Sequence, residues 1–165
     1  MRWQIALALL PFIATGAHAA DIKGVSKIEG VTVYPQGAEV TRGQDGAFES
    51  YIKLTVKTDE YDRSIAGTVF SDGRPRIIQV RDIGMEFELA PHMLFVRNAD
   101  KPGFIGRFGM VMGEAQVNIA TLNLGRDKPG GDAICIVAVD EPVSDDVMGK
   151  VRALPQVVRV NRLEF

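Results

Sequence analysis

The chain is short of the residues that build metal and disulfide sites: of 165 residues one is cysteine and two are histidine. Cys135 has no internal partner for a disulfide, and no Cys-x-x-Cys pair or histidine cluster offers transition-metal spacing. Excess charge of one sign is missing too. Nineteen Lys and Arg stand against 21 Asp and Glu, for a net charge of −2, so the basic footprint that nucleic acid or an anionic membrane requires is absent. A Gly-x-Gly-x-x-Gly fingerprint after a strand is also absent. Gly103, Gly106 and Gly109 are spaced by three and open a helix after a Pro-Gly turn, which suggests close helix packing instead of dinucleotide binding. What is present is a globular composition, 46% hydrophobic against 24% charged, enough for one ordinary domain or two small modules.

Residues 1–19 read as a cleaved signal peptide. Arg2 supplies the positive start, residues 5–15 are an almost unbroken apolar run, and Ala17-His18-Ala19 gives the small-x-small pattern, with cutting after Ala19. The run is about half the roughly 20 residues a bilayer span needs, and Pro11 interrupts it. No later segment is long enough to span. The signal peptide predicts the periplasm or the outside of the cell, with the cytoplasm as the alternative.

Residues 20–45 alternate around Gly30, with Ile28, Val31, Val33 and Tyr34, then a Pro35-Gln36-Gly37 turn before Val40, the pattern of a strand, a turn and a second strand. The character changes at Gly43-Gln44-Asp45-Gly46, where a domain boundary is expected. Residues 46–90 then read as a small antiparallel sheet: 51–56 alternate, 64–70 are rich in β-formers, Ser71-Asp72-Gly73 is a hairpin-type turn, and 76–80 alternate again. Arg74 and Arg76 share one face of such a strand, and Arg81 lies close by. They form either a solvated face or an anion-binding patch.

Residues 91–165 carry the clearest pattern. A short apolar strand at 93–96 is followed by Phe104, Ile105, Phe108, Val111, Met112 and Ala115 at helical spacing. Residues 119–124 form a strand, 125–132 are rich in turn formers, and 133–139 are apolar on both faces, as in a central buried strand. Cys135 lies in that strand and reads as a small core residue. Ser144 is a helix N-cap with Asp145 and Asp146 in the first turn. Val147, Met148, Val151 and Leu154 form the buried face, Pro155 stops the helix, and Val158 and Val160 begin a last strand. The order βαββαβ predicts an α+β, ferredoxin-like fold of four antiparallel strands with two helices on one face.

Three runs of sequence resemble known families. Residues 26–42, SKIEGVTVYPQGAEVTR, resemble the mature N-terminus of mucoidy-inhibitor-like envelope proteins, which implies a foreign exported segment over 20–45. The run from Asn98 to Gly106, NADKPGFIG, with GEAQVNIA at 113–120, resembles the ACT domain, a small-molecule sensing module of amino-acid metabolism. From residue 46 onward, SYIKLTV, RSIAGTVF, PGFIGRFG, VNIATLNLGRD and GGDAICIV are similar to the C-terminal tail of long-form D-3-phosphoglycerate dehydrogenases, part of an intervening regulatory domain followed by ACT.

The resemblance implies an L-serine effector held between two domains of a homodimer, which pair through a sheet edge. Contacts would fall on Asn98 and Asp100, on the backbone N–H groups of Gly103 and Phe104, and on Asn118 of the facing chain. Asp100 can accept from an ammonium group, and Asn118 can both donate and accept. The same residues also suit a simple turn before Pro102. In that family a basic residue near Arg76 serves an anion. No catalytic residue, cofactor or metal is expected, because His92, the one histidine after residue 19, has no acid–base partner in the text. Three functional readings stand: an amino-acid sensor without catalytic domains, an exported protein using the fold as a structural or interaction element, and a fusion with no function.

Overall fold

A computed structural model describes residues 22–23, 37–45, 48–57 and 62–165. The expected signal peptide and the turn at Pro35-Gln36 lie outside the described residues. The chain divides into two compact units, Met1–Asp82 with Glu86–Glu88, and Ile83–Met85 with Leu89–Phe165.

The first sheet has six strands: β1 (Ile22–Lys23), β2 (Gly37–Asp45), β3 (Phe48–Lys57), β4 (Asp62–Val69), β5 (Pro75–Val80) and β6 (Ile83–Phe87), in that spatial order. β1 pairs parallel with β2, and β2 to β5 form antiparallel neighbours. Leu54, Ile65, Ala66 and Ile77 are buried. The hairpin at 71–73 matches its sequence: Gly73 has φ +77° and donates to Phe70 O at 2.9 Å, while the Asp72 side chain accepts from Arg74 N at 2.8 Å.

Two expectations change here. The boundary placed at residues 43–46 falls where β2 and β3 pair antiparallel, from Gly37–Lys57 to Asp45–Phe48 with a register shift between Gly43 and Asp45. Gly, Gln and Asp in a row suit a linker and a tight hairpin turn equally, so composition alone misplaces the break. The reading of 46–90 as a small antiparallel sheet also left β6 unmarked. Its five residues alternate, burying Ile83, Met85 and Phe87. Arg81, at φ +57°, makes the turn into it, with Ser64 Oγ donating to Arg81 O at 2.8 Å and Arg81 N donating to Ser64 O at 2.6 Å.

The second unit has β7 (His92–Ala99), α1 (Phe104–Glu114), β8 (Ile119–Arg126), β9 (Asp132–Val139), α2 (Asp145–Arg152) and β10 (Val157–Glu164). Its sheet runs β10-β7-β9-β8, all antiparallel, which is the ferredoxin-like order. Alternate residues of the two central strands, Leu94 and Val96 with Cys135, Val137 and Val139, pack with Phe104, Phe108 and Met112 of α1 and Val147, Met148 and Val151 of α2. Both helices therefore cover one face. Met93, Phe95, Ile134 and Ile136, which point the other way, are buried as well, so β9 is central and apolar on both faces as its sequence indicates.

Ser144 caps α2 by accepting from Val147 N at 3.4 Å, and Asp145 and Asp146 sit in the first turn with Lys150 and Arg152 in the last, each sign matching the helix dipole. The glycines of α1 correct an expectation. A Cβ at Gly106 or Gly109 would meet nothing within 4 Å, so neither glycine serves close packing. Gly103 is needed for another reason: as the residue before α1 it holds φ +92°, a left-handed conformation that costs other residues strain.

Candidate functional site

The loop from β7 into α1 gathers most of the residues singled out in the sequence. Pro102 and Gly103 lead into α1, whose N-terminus has no side-chain cap hydrogen bond and no acid in its first turn to offset the positive end of its dipole. Asp100 is tied down. Its Oδ2 accepts from Arg126 Nη1 at 2.8 Å and from Gly130 N at 3.0 Å, while its own N–H donates to Gly131 O at 2.9 Å. The Gly130 hydrogen bond, followed by the Arg126 guanidinium, holds the Asp100 carboxyl below the usual carboxylate range. Because the folded value is depressed, this clasp contributes fully above the unfolded pKa of about 3.9 and is lost as pH falls through the lowered folded value.

Asn98 is 2% exposed, and its Nδ2 donates to Ala99 O at 3.1 Å while its Oδ1 is buried without a partner. Gln156, just before β10, supports the loop from below. Its carbonyl accepts from Ala99 N at 2.9 Å and its Nε2 donates to Pro102 O at 3.4 Å, and its Oε1 is also buried and unpartnered. The sequence reading missed Arg126, Gly130 and Gln156. Arg126 closes the LNLGR run before a turn-rich loop, a hint of a loop staple, whereas nothing local marks Gln156.

Asn118 stands elsewhere. It follows α1, donating from Nδ2 to Asp140 Oδ2 at 2.7 Å, and the 11-residue helix separates it from Asp100 by about 16 Å of rise. Within one chain, Asn98, Asp100, Gly103 and Phe104 come together at one end of α1, and Asn118 does not join them. Phe104 is buried, so its ring belongs to the core and only its backbone faces the loop.

The arginine patch of the first unit is an ion-pair cluster. Arg76 meets Asp72 at 2.6 Å, Glu88 at 3.3 Å and Glu86 at 3.7 Å, and its guanidinium carbon lies 4.4 Å from the centre of the Phe70 ring. Arg74 meets Glu88 at 3.5 Å. Three carboxylates thus face the two guanidiniums of Arg74 and Arg76, the side chains that the sequence leaves as either a solvated face or an anion-binding patch. Cys135 is buried in β9 and its thiol is pushed up to about 12 by burial, as suits a core residue. His92, at the start of β7, lies opposite Glu164 of β10 with its Nδ1 buried and unpartnered. Among the described residues no group of three or more His, Cys, Asp or Glu could hold a metal ion.

A βαββαβ unit whose first helix opens uncapped beside a polar loop defines the class: residues 92–156 match the ACT domain and carry its α+β fold. Residues 23–81 match the D-3-phosphoglycerate dehydrogenase intervening domain, so the chain is similar to the regulatory ACT and intervening region of D-3-phosphoglycerate dehydrogenase-like proteins. The D-3-phosphoglycerate dehydrogenase of Bacillus subtilis is 24% identical over 157 residues, covering 95% of this chain and 29% of its own length. That of Archaeoglobus fulgidus is 27% identical, covering 94% and 29%, and that of Synechocystis is 31% identical over 121 residues, covering 70% and 22%. The chain thus spans less than a third of the relatives it matches, within their regulatory region. Residues 23–45 fall inside the intervening-domain match, and 37–45 pair with β3 as β2, which corrects the reading of 20–45 as a foreign segment; the likeness to mucoidy-inhibitor-like proteins is unsupported.

Proposed function

We propose that the chain is an amino-acid-sensing regulatory module of the kind carried by D-3-phosphoglycerate dehydrogenase, with L-serine or a closely related small amino acid as effector, and that it acts by binding and not by catalysis. The observation that carries this reading is the β7–α1 loop. An uncapped helix N-terminus, which favours an anion, stands beside a carboxylate held ionised, which favours a cation. ACT domains bind amino acids and commonly dimerise, and the sheet here ends in edge strands β8 and β10. Pairing of two copies along a sheet edge would bring Asn118 of one chain toward the Asp100 loop of its partner, completing a site that one chain leaves in two halves.

The reading is tested by linkage. At free L-serine a hundredfold above its dissociation constant, binding adds about 2.7 kcal/mol to stability. For a chain of this size that should raise the Tm by about 5–10 °C. A Tm unmoved by both L-serine and glycine at millimolar concentration would remove the proposal.

A further inference from the structure

The Arg126–Asp100 pair has unused capacity on both sides. Both hydrogen bonds to the Asp100 carboxylate fall on Oδ2, and a carboxylate oxygen offers two lone pairs, so Oδ1 is left to accept from another donor. Arg126 commits Nη1 alone, and its side chain is 54% exposed, so the rest of its planar fork is open. We propose that Arg126 is a binding residue for the effector, reading the carboxylate of an α-amino acid whose ammonium group takes Oδ1 of Asp100. The proposal rests on the amino-acid-sensing reading above and names the group that selects the ligand class.

The argument is one of charge spacing. An α-amino acid holds its negative and positive groups on a single carbon, and the 2.8 Å Arg126–Asp100 pair presents one charge of each sign just as closely. Laid antiparallel beside the pair, each ligand charge meets its opposite. A simple carboxylate would gain Arg126 but face Asp100 with no cation, and a simple amine would do the reverse. The surroundings favour such a ligand independently. Asn98 and Gln156, 2% and 9% exposed, each bring a buried carbonyl oxygen without a donor to this same loop, Gln156 with its amide already on Pro102 O. Buried acceptors left unpaired are uncommon, and a group with three N–H donors entering the loop gives it a reason to tighten around them.

Arg126 also fastens the loop, so the test must separate contact from support. Calorimetric titration of the full chain with L-serine and with L-serinamide, which keeps the ammonium but has no carboxylate, does so. Wild type should prefer L-serine by about ten- to a hundredfold, the range for a charge-assisted hydrogen bond. Arg126→Gln should bring the two ligands to within about twofold of each other, and Arg126→Lys, which keeps the charge but loses the fork, should fall between. A preference that survives Arg126→Gln, with both affinities lowered together, assigns Arg126 to loop support and overturns the proposal. Unchanged L-serine affinity in Arg126→Gln overturns it too, leaving amino-acid sensing intact. Binding of neither ligand by wild type removes the sensing reading and this one with it. Should Arg126→Gln fail to fold, by circular dichroism, an Arg126→Lys preference equal to wild type overturns the proposal.

Discussion

Phe108→Ala should destabilise the ACT unit by about 3–5 kcal/mol, the range for emptying a buried aromatic site. Phe108 is 0% exposed in the middle of α1, its ring 5.8 Å from that of Phe104, and it belongs to the cluster that joins α1 and α2 to β7 and β9. Fixed strands on one side and a second helix on the other give the void little freedom to collapse. Domains of ordinary size hold only about 5–15 kcal/mol in total, so the loss takes a large share. Urea denaturation followed by circular dichroism reads it as a lowered midpoint. Met110→Ala, two residues along on the exposed side of the same helix and 64% exposed, is the control and should stay within about 0.5 kcal/mol. A cost below 1 kcal/mol at Phe108 would mean that α1 does not seat on the sheet as described.

The second large effect concerns binding. Asp100→Ala should weaken L-serine binding by about ten- to a hundredfold, because it removes a charged hydrogen-bond acceptor and releases the clasp made with Arg126 and Gly130. Asn118→Ala should weaken it less, since a neutral group is lost. The pH dependence follows from the depressed pKa of Asp100. The carboxylate is already charged throughout neutral and mildly acidic pH, so its share of the affinity should hold flat there and fall only as pH drops through the lowered value. Both variants should keep wild-type circular dichroism. If wild type binds L-serine and both variants bind it equally well, the loop around Asp100 is only a turn.

Local chemistry was legible where one residue's role depends on its near neighbours. Ser144 with Asp145 and Asp146 announced α2, the Ser71-Asp72-Gly73 turn announced the β4–β5 hairpin, and the apolar run at 133–139 announced a central strand. Ile105 shows the limit of periodicity. Counted among the apolar residues at helical spacing, it is exposed, because it lies about 100° around the helix from the buried Phe104. The site was half legible. Asn98, Asp100 and Gly103 are within six residues of one another, but Arg126 reaches Asp100 across 26 residues and Gln156 reaches Pro102 across 54. Those pairings exist only once β10 pairs with β7 and β8 joins β7 through β9, and no spacing rule encodes them. The same holds for Arg74 and Arg76, whose charge is offset in part by Glu86, on a strand that the sequence left unmarked, and by Glu88 just after it.

The central claim is that this chain binds a small amino acid at the head of α1. Calorimetric titration of the full chain with L-serine, and with glycine as the smaller homologue, measures it directly. The account predicts saturable heat with one L-serine per chain, as in a symmetric dimer with two sites, and weaker binding of glycine for want of the hydroxyl. Absence of saturable heat with both ligands up to millimolar concentration, from protein with a cooperative unfolding transition, would contradict it.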